Sequence, residues 1–304
     1  MRLVMFELDG RVRPGAVVDD EVVDLSSALD PPVATVSELL EAGDHGRAQA
    51  LAAVENGANR VPLADVTLQA PILPRKFFAI GLNYADHVAE SGLDRPENLT
   101  VFYKAPTSVT GPYAPIEMPA VSSWLDYEGE LGIVIGKRCR HVRAEDAEDV
   151  IAGYVVVNDV SVRDWQIMTP QWSFGKSFDT HGPIGPWLVT SDEIGDPHDL
   201  QISTFVNDEK RQESNTSNLI FSCFDIVEIL SQGCTLEPGD VIATGTPAGV
   251  AAGMEGRPWL VEGDAVRVEI ERLGAIENSV VAEEVPADFV VDPSWVGGRP
   301  EISA

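Results

Sequence analysis

LDYEGELGIVIG, Leu125 to Gly136, sets three acids, Asp126, Glu128 and Glu130, at alternate positions and then runs straight into an apolar segment. Side chains alternate between the faces of an extended strand, so the three carboxylates share one side. Such a row repels itself unless water or a cation lies against it. A second apolar run, GYVVVND (Gly153 to Asp159), has the length and β-branched content of a buried strand, as does LGIVIG. It delivers Asp159 to a strand end, where loops and ligands gather. Hard divalent cations prefer carboxylate oxygens, so Glu128 and Glu130 with Asp159 as third acid form a candidate metal set. Taken alone, E-x-E reads more readily as the solvated face of an edge strand.

Outward from this stretch, most of the chain is short strands and turns. The first 60 or so residues read as a small unit. MRLVMFELDGRVRPGAVVDDEVVDL holds apolar runs broken by D-G and P-G, which suits hairpins, and VSELLEAGDHGRAQALAAV has helical spacing with a glycine break. Ala70 to Arg75, APILPR, joins it to the larger part, giving units of 1–70 and 71–304. Further on, RAEDAEDVIAGY is expected as a helix and LQISTFVNDEKRQ as strands about an N-D turn. SNLIFSCFDIVEILSQG is expected as an amphipathic helix ending at Gly233, and LEPGDVIATGTPAGV as turn, strand and glycine-rich loop. The pattern predicts a β-rich α+β fold and not a doubly wound sheet.

The 304 residues carry 49 acidic and 21 basic side chains, a formal charge of −28. A polyanion is repelled by such a surface, which argues against nucleic acid and anionic membrane as partners. The excess also suits simple solubility or a salty cytoplasm. No run approaches the roughly 18 apolar residues that span a bilayer, so the expectation is a soluble, cytoplasmic protein. Cys139, Cys223 and Cys234 have neither an even count nor C-x-x-C spacing and read as buried free thiols.

Two further groups of residues can do chemistry. In NDVSVRDWQIMTPQWSFGKSFDTHGPIGPW, Lys176 is the one lysine or arginine between Arg163 and Lys210, set in a glycine- and aromatic-rich loop. GKS suggests a phosphate loop, but that motif needs glycine where Pro170 stands. Arg163 and Gln166 follow Asp159 by four and seven residues, so a helical turn would face all three one way, or they form a surface salt-bridge cluster. In GLNYADHVAESG, His87 and Glu90 are neighbours on a short helix that Gly92 would stop. A carboxylate beside an imidazole raises its basicity, although H-x-x-E pairs also occur on exposed helices. His181 is left undecided.

Several of these segments, in this order, resemble blocks of the fumarylacetoacetate hydrolase family from about Phe77 to Gly274: GLNYADHVAE, DYEGELGIVIGK, GYVVVNDVSVRD, GKSFDTHGPIGPWLV, LIFSCFDIVEILSQGCTLEPGDVIATGTPAGV and VEGDAVRVEIERLG. The resemblance implies a mixed β-roll catalytic domain, here behind a small N-terminal α/β unit, in a homodimer. It implies Mg²⁺ or Mn²⁺, with Ca²⁺ able to substitute in a crystal, on Glu128, Glu130 and Asp159. It places Arg163, Gln166, Lys176 and Thr246 against substrate, Lys104 of FYKAPTS as a further pocket residue, and His87 with Glu90 on a lid that supplies the base. The eponymous enzymes carry a further aspartate ligand near the lid, where this chain has Asn83 and Tyr84, a departure that speaks against tyrosine catabolism. The N-terminal unit resembles that of members acting on diketo acids and of some oxaloacetate decarboxylases.

The leading expectation is hydrolysis of a C–C bond in a 2,4-diketo acid such as an acylpyruvate, with His87 and Glu90 activating water and Lys176 helping to hold the pyruvate enolate. Isomerisation of a hydroxymuconate-type dienol (2-hydroxyhepta-2,4-diene-1,7-dioate) or decarboxylation of oxaloacetate uses the same site without activated water. A non-catalytic metal-binding module is the competing class.

Overall fold

The apolar run after the acids forms the strand Gly129–Ile135, buried along its whole length because the sheet around it is covered on both faces. Leu131, Ile133 and Ile135 point into a core shared with Ile202, Val268 and Ile276 of a second sheet and with Ile226 and Leu230 of a helix. Val134 points the other way, into a core with Val155, Val157, Leu3 and Leu39. A polar side chain at any of these positions loses hydration without gaining a partner, which is why the sequence here is continuously apolar. Gly132 fits because a Cβ there would come within 2.6 Å of Val157.

The protein, seen in a computed structural model that describes residues 1–57, 59–92 and 94–290, is built on a twelve-stranded mixed sheet. From one edge its strands run Arg60–Pro62, Glu21–Asp24, Arg11–Val18, Arg2–Leu8, Gly182–Thr190, Ile151–Asn158, Gly129–Ile135, Val241–Ala243, Phe77–Gly81 and Thr100–Lys104. Two short strands, Thr67–Gln69 and Val109–Thr110, pair beside this path. The strands of residues 1–70 are thus hydrogen-bonded into the same sheet as those that follow, through Arg2↔Val189 and Leu3↔Leu188. The last residues of the second predicted unit, 291–304, lie outside the described residues. A five-stranded sheet, Glu209–Asn215, Gln201–Val206, Ala265–Ile270, Gly274–Ala282 and Ile116–Met118, packs over one face. The architecture is β-rich α+β, as the pattern predicts. Among the described residues no helix is long and apolar enough to cross a membrane.

Some local expectations need correction. Pro14–Gly15 does not break the second hairpin; it lies inside the strand Arg11–Val18, and the turn falls at Asp19 and Asp20. Gly15 is there because a Cβ would meet Val22 at 2.6 Å and Phe6 at 2.8 Å. Residues Arg143–Tyr154 are not one helix: a 3-10 helix spans Ala144–Val150 and the chain becomes a strand at Ile151. Gly153 of that strand passes so close to its neighbour that a Cβ would lie 2.0 Å from the Val189 carbonyl oxygen. The amphipathic helix ends at Gly233 as read but starts only at Cys223, where Ser222 and Asp225 close a capping box. All three thiols are free, and only Cys223 is fully buried; Cys139 and Cys234 are half-buried.

Candidate active site

Antiparallel pairing of Gly129 with Asn158 brings the acidic row beside the end of the second core strand. The Asp159 amide donates to the Glu128 carbonyl at 2.8 Å and the Glu128 amide to the Asn158 side chain at 3.0 Å. The chain therefore kinks between the strands Leu125–Asp126 and Gly129–Ile135, and the row divides. Carboxylate oxygens of Glu128, Glu130 and Asp159 lie within 4.8 Å of one another, all three residues buried. Asp126 faces another way: one oxygen accepts from the Ala251 amide at 2.8 Å, the other from Arg163 Nε at 2.8 Å and the Ala252 amide at 3.0 Å.

Three cations gather against the four carboxylates. Lys176 Nζ lies 2.7 Å from Glu128 Oε2 and 2.9 Å from Asp159 Oδ2, over the ring of Phe102. Arg163 Nη1 lies 2.6 Å from Glu128 Oε1 and donates to Gln166 at 2.9 Å. Lys104 Nζ donates to Asp159 Oδ1 at 2.6 Å and to the carbonyl oxygen of Lys176. Lys104 is 1 % exposed; the structure places it behind Asp159 and Lys176 and not on the pocket wall. Arg163 and Gln166 share the short helix Arg163–Gln166, but Asp159 precedes it on a separate strand connection, so fold and not helical spacing unites them. Gly175 lets the Lys176 loop pass close to that helix, since a Cβ would sit 2.2 Å from the Gln166 nitrogen.

The electrostatics divide along the same line. Burial alone would raise the Glu128 carboxyl, but Lys176 and Arg163 pull it down to about 2. Glu130 accepts a hydrogen bond from the Gly245 amide at 2.8 Å. Burial, then the charges of Asp159 and Glu128, push its carboxyl well above the usual range. Burial lowers Lys176 too, yet Asp159 and Glu128 outweigh it and hold the ammonium above its ordinary value. An all-oxygen donor set with a surplus negative charge fits a hard divalent ion such as Mg²⁺ or Mn²⁺.

Glu128 and Lys176 border a cavity of about 800 Å³. Glu128, Arg163, Gln166, Lys176 and Thr246 form its polar side, and Ile80, Phe102, Ile167 and Trp172 an apolar side. Thr246 donates to the Gly129 carbonyl at 3.0 Å and accepts from Gln212 at 2.8 Å, so its hydroxyl is fixed. His87 and Glu90 line the same cavity from the helix Ala85–Ser91, which Gly92 ends in a left-handed conformation. His87 Nδ1 is 3.4 Å from Glu90 Oε2, and both Glu90 oxygens accept from the Gly249 amide, at 3.0 and 3.2 Å. Burial opposes the Glu90 charge, but His87 and that amide win and lower its carboxyl below the ordinary value. The helix start is held by Asn83, bonded to Phe221 and Thr244, and by Asp86, which accepts from Ser214 at 2.6 Å. His181 is buried away from the cavity, its Nε2 on the Glu117 carbonyl at 2.8 Å.

Sequence reasoning missed the separate role of Asp126, the clamp of Gln212, and the turn Met254 to Arg257 that completes the wall. Only Asp126 left a signal, its place in the acidic row.

The family described as fumarylacetoacetate (FAA) hydrolase C-terminal matches residues 76–281. A rat (Rattus norvegicus) protein named mitochondrial oxaloacetate tautomerase is 42% identical over 288 residues, 92% of each chain. Maleylpyruvate hydrolase from Sphingobium sp. SYK-6, solved with manganese(II) and pyruvate, superposes with a TM-score of 0.78 at 34% identity, over 93% of this chain and 100% of that one. A 2-hydroxyhepta-2,4-diene-1,7-dioate isomerase from Mycobacterium marinum gives a TM-score of 0.75 at 35% identity, over 94% of this chain and all of the other.

Proposed function

The chain belongs to the fumarylacetoacetate hydrolase family, and from that premise we propose that it interconverts the keto and enol forms of a 2-oxo acid of the oxaloacetate type. One observation carries the reading: three buried carboxylates within 4.8 Å of one another stand beside a lysine on the wall of a cavity that also holds a His–Glu pair. Glu128, Glu130 and Asp159 would hold a divalent ion, Mg²⁺ or Mn²⁺, which when bound polarises the 2-oxo and carboxylate oxygens of a chelated acid. Arg163 and Gln166 orient the substrate carboxylate. Lys176, kept protonated by its two carboxylate partners, donates to the oxygen on which enolate charge gathers. Glu90 holds a proton on His87 Nδ1, which leaves Nε2 to take the proton from carbon 3. That proton leaves carbon 3 and one is gained at the 2-oxygen, so composition is unchanged.

A second reading, hydrolysis of a C–C bond in an acylpyruvate-type diketo acid, is favoured by the likeness to maleylpyruvate hydrolase and by the same His–Glu pair. There His87 takes a proton from water, the hydroxide attacks the 4-carbonyl, and the bond between carbons 3 and 4 breaks with its electron pair left on carbon 3 as the pyruvate enolate, to which His87 returns the proton, giving pyruvate and a carboxylic acid.

The test is a substrate panel of oxaloacetate, an acylpyruvate and a hydroxymuconate-type dienol, followed by NMR with metal-loaded and chelator-treated protein. The expected result is keto–enol interconversion that disappears with chelator and falls at least about 100-fold in His87→Asn, in the range of a lost general base. Unchanged turnover after chelation, or in Lys176→Met, sinks the reading; cleavage products in place of tautomers select the second.

A further inference from the structure

Glu128 and Glu130, two of the three acids of the candidate metal set, are joined through Gly129, so the two peptide groups at that glycine fix where their side chains start. On one side the strand Gly129–Ile135 is paired with Ile151–Asn158 as far as Gly129↔Asn158. On the other side its ladder with Val241–Ala243 begins only at Gly132 and is extended by the Thr244 amide, which donates to the Leu131 carbonyl at 2.9 Å. At Gly129 side chains take over from the strand.

Gln212 supplies the link. Its Oε1 accepts from the Gly129 amide at 3.0 Å, while its Nε2 donates to Thr246 Oγ1 at 2.8 Å and to the Pro247 carbonyl at 2.9 Å. Thr246 in turn donates to the Gly129 carbonyl at 3.0 Å, which closes a ring of hydrogen bonds. The Gln212 amide fits only this way round, because a backbone N–H only donates and the Pro247 carbonyl only accepts. One buried side chain therefore grips the N–H of Gly129 directly and its C=O through Thr246.

The same grip reaches the Glu130 carboxylate. Gly245, the residue before Thr246, is the amide donor to Glu130 at 2.8 Å, so fixing Thr246 and Pro247 also fixes that donor. Gln212 is 1 % exposed and comes from the second sheet, on the strand Glu209–Asn215. It can reach Gly129 because that residue has no side chain: a Cβ there would lie 2.3 Å from Thr204 Oγ1 and 2.9 Å from Val268 Cγ1. An apolar residue in place of Gln212 would leave a buried amide and a buried carbonyl without partners, and the segment between the two acids would be free to shift.

We infer that Gln212 is a positioning residue for the metal set. It does not line the cavity; it holds Glu128 and Glu130 in place for a divalent ion. The inference rests on the metal reading above and is independent of which 2-oxo acid is turned over.

Mn²⁺ titration, followed by the electron paramagnetic resonance signal of the free ion, gives dissociation constants for wild type, Gln212→Met and Ile270→Val. Methionine roughly conserves the volume and removes all three bonds, whereas Ile270→Val loosens the core of the same sheet without touching the site. Both variants are expected to lower the melting temperature of the metal-free protein. Only Gln212→Met is expected to bind Mn²⁺ more weakly, by about 10- to 100-fold, the usual cost of losing an outer partner of metal ligands. Wild-type affinity in folded Gln212→Met, or an equal loss in Ile270→Val, overturns the inference and leaves the metal reading standing. Wild-type protein that binds no Mn²⁺ at millimolar concentration overturns both. If Gln212→Met does not fold, Gln212→Asn, whose amide ends one methylene short, replaces it: binding at least about 10-fold weaker upholds the inference, and wild-type affinity refutes it.

Discussion

Asp126 and Glu130 stand four residues apart in one acidic row, are 0 % and 1 % exposed, and end in opposite situations. Around Asp126 the protein supplies what a buried carboxylate needs: the Arg163 guanidinium and the amides of Tyr127, Ala251 and Ala252. Around Glu130 it supplies the Gly245 amide and two further negative charges, Glu128 and Asp159. Burial is equal; provision is not. The corner that completes itself is structural, and the corner left short of positive charge is where an ion is useful.

The largest expected effect comes from breaking the complete corner. Asp126→Asn turns an amide NH₂ toward groups that already donate and leaves Arg163 without one of its two carboxylate partners. Chemical denaturation should show a loss of about 3–5 kcal/mol, the usual result of removing one member of a buried pair. Mn²⁺ affinity in the folded protein should stay within a few-fold. The next effect belongs to the incomplete corner: Mn²⁺ at a hundred times its dissociation constant should stabilise wild type by about 2.7 kcal/mol, raising its melting temperature. Asp126→Asn should show the same increment and Glu130→Gln almost none. The smallest effect has the opposite sign. In metal-free protein Glu130→Gln removes a repelled carboxyl and should stabilise by about 1 kcal/mol, while metal affinity falls more than about 100-fold. A Glu130→Gln protein less stable than wild type without metal would erase the contrast.

The same two residues show how far the sequence could be read. Alternation placed Glu128 and Glu130 together, and the apolar run GYVVVN marked the strand that brings Asp159 to them, because burial on both faces leaves a plain signature in sequence. Nothing in Leu125–Gly136 told that the strand would kink at Tyr127 and turn Asp126 toward Arg163, since the donors that hold it, Ala251 and Ala252, lie 125 and 126 residues away. Lys104 shows the same limit. The family resemblance alone put it in the pocket, and its depth behind Asp159 depends on a pairing with the Lys176 loop, 72 residues on. His87 and Glu90 were legible because their contact is local, three residues along one helix. The Pro14–Gly15 turn was misplaced because close packing of Gly15 on Phe6 and Val22 is a property of the sheet.

The loop from Gly249 to Gly253 is gripped twice, by Asp126 through its amides and by Glu90 through Gly249. Any outward swing of the helix Ala85–Ser91 must first release the Glu90 contact, a charged hydrogen bond worth about 1.5–3 kcal/mol. The carboxylate beside His87 is thus also the one that ties the helix Ala85–Ser91 to the facing loop, so a substitution at Glu90 acts on both contacts at once.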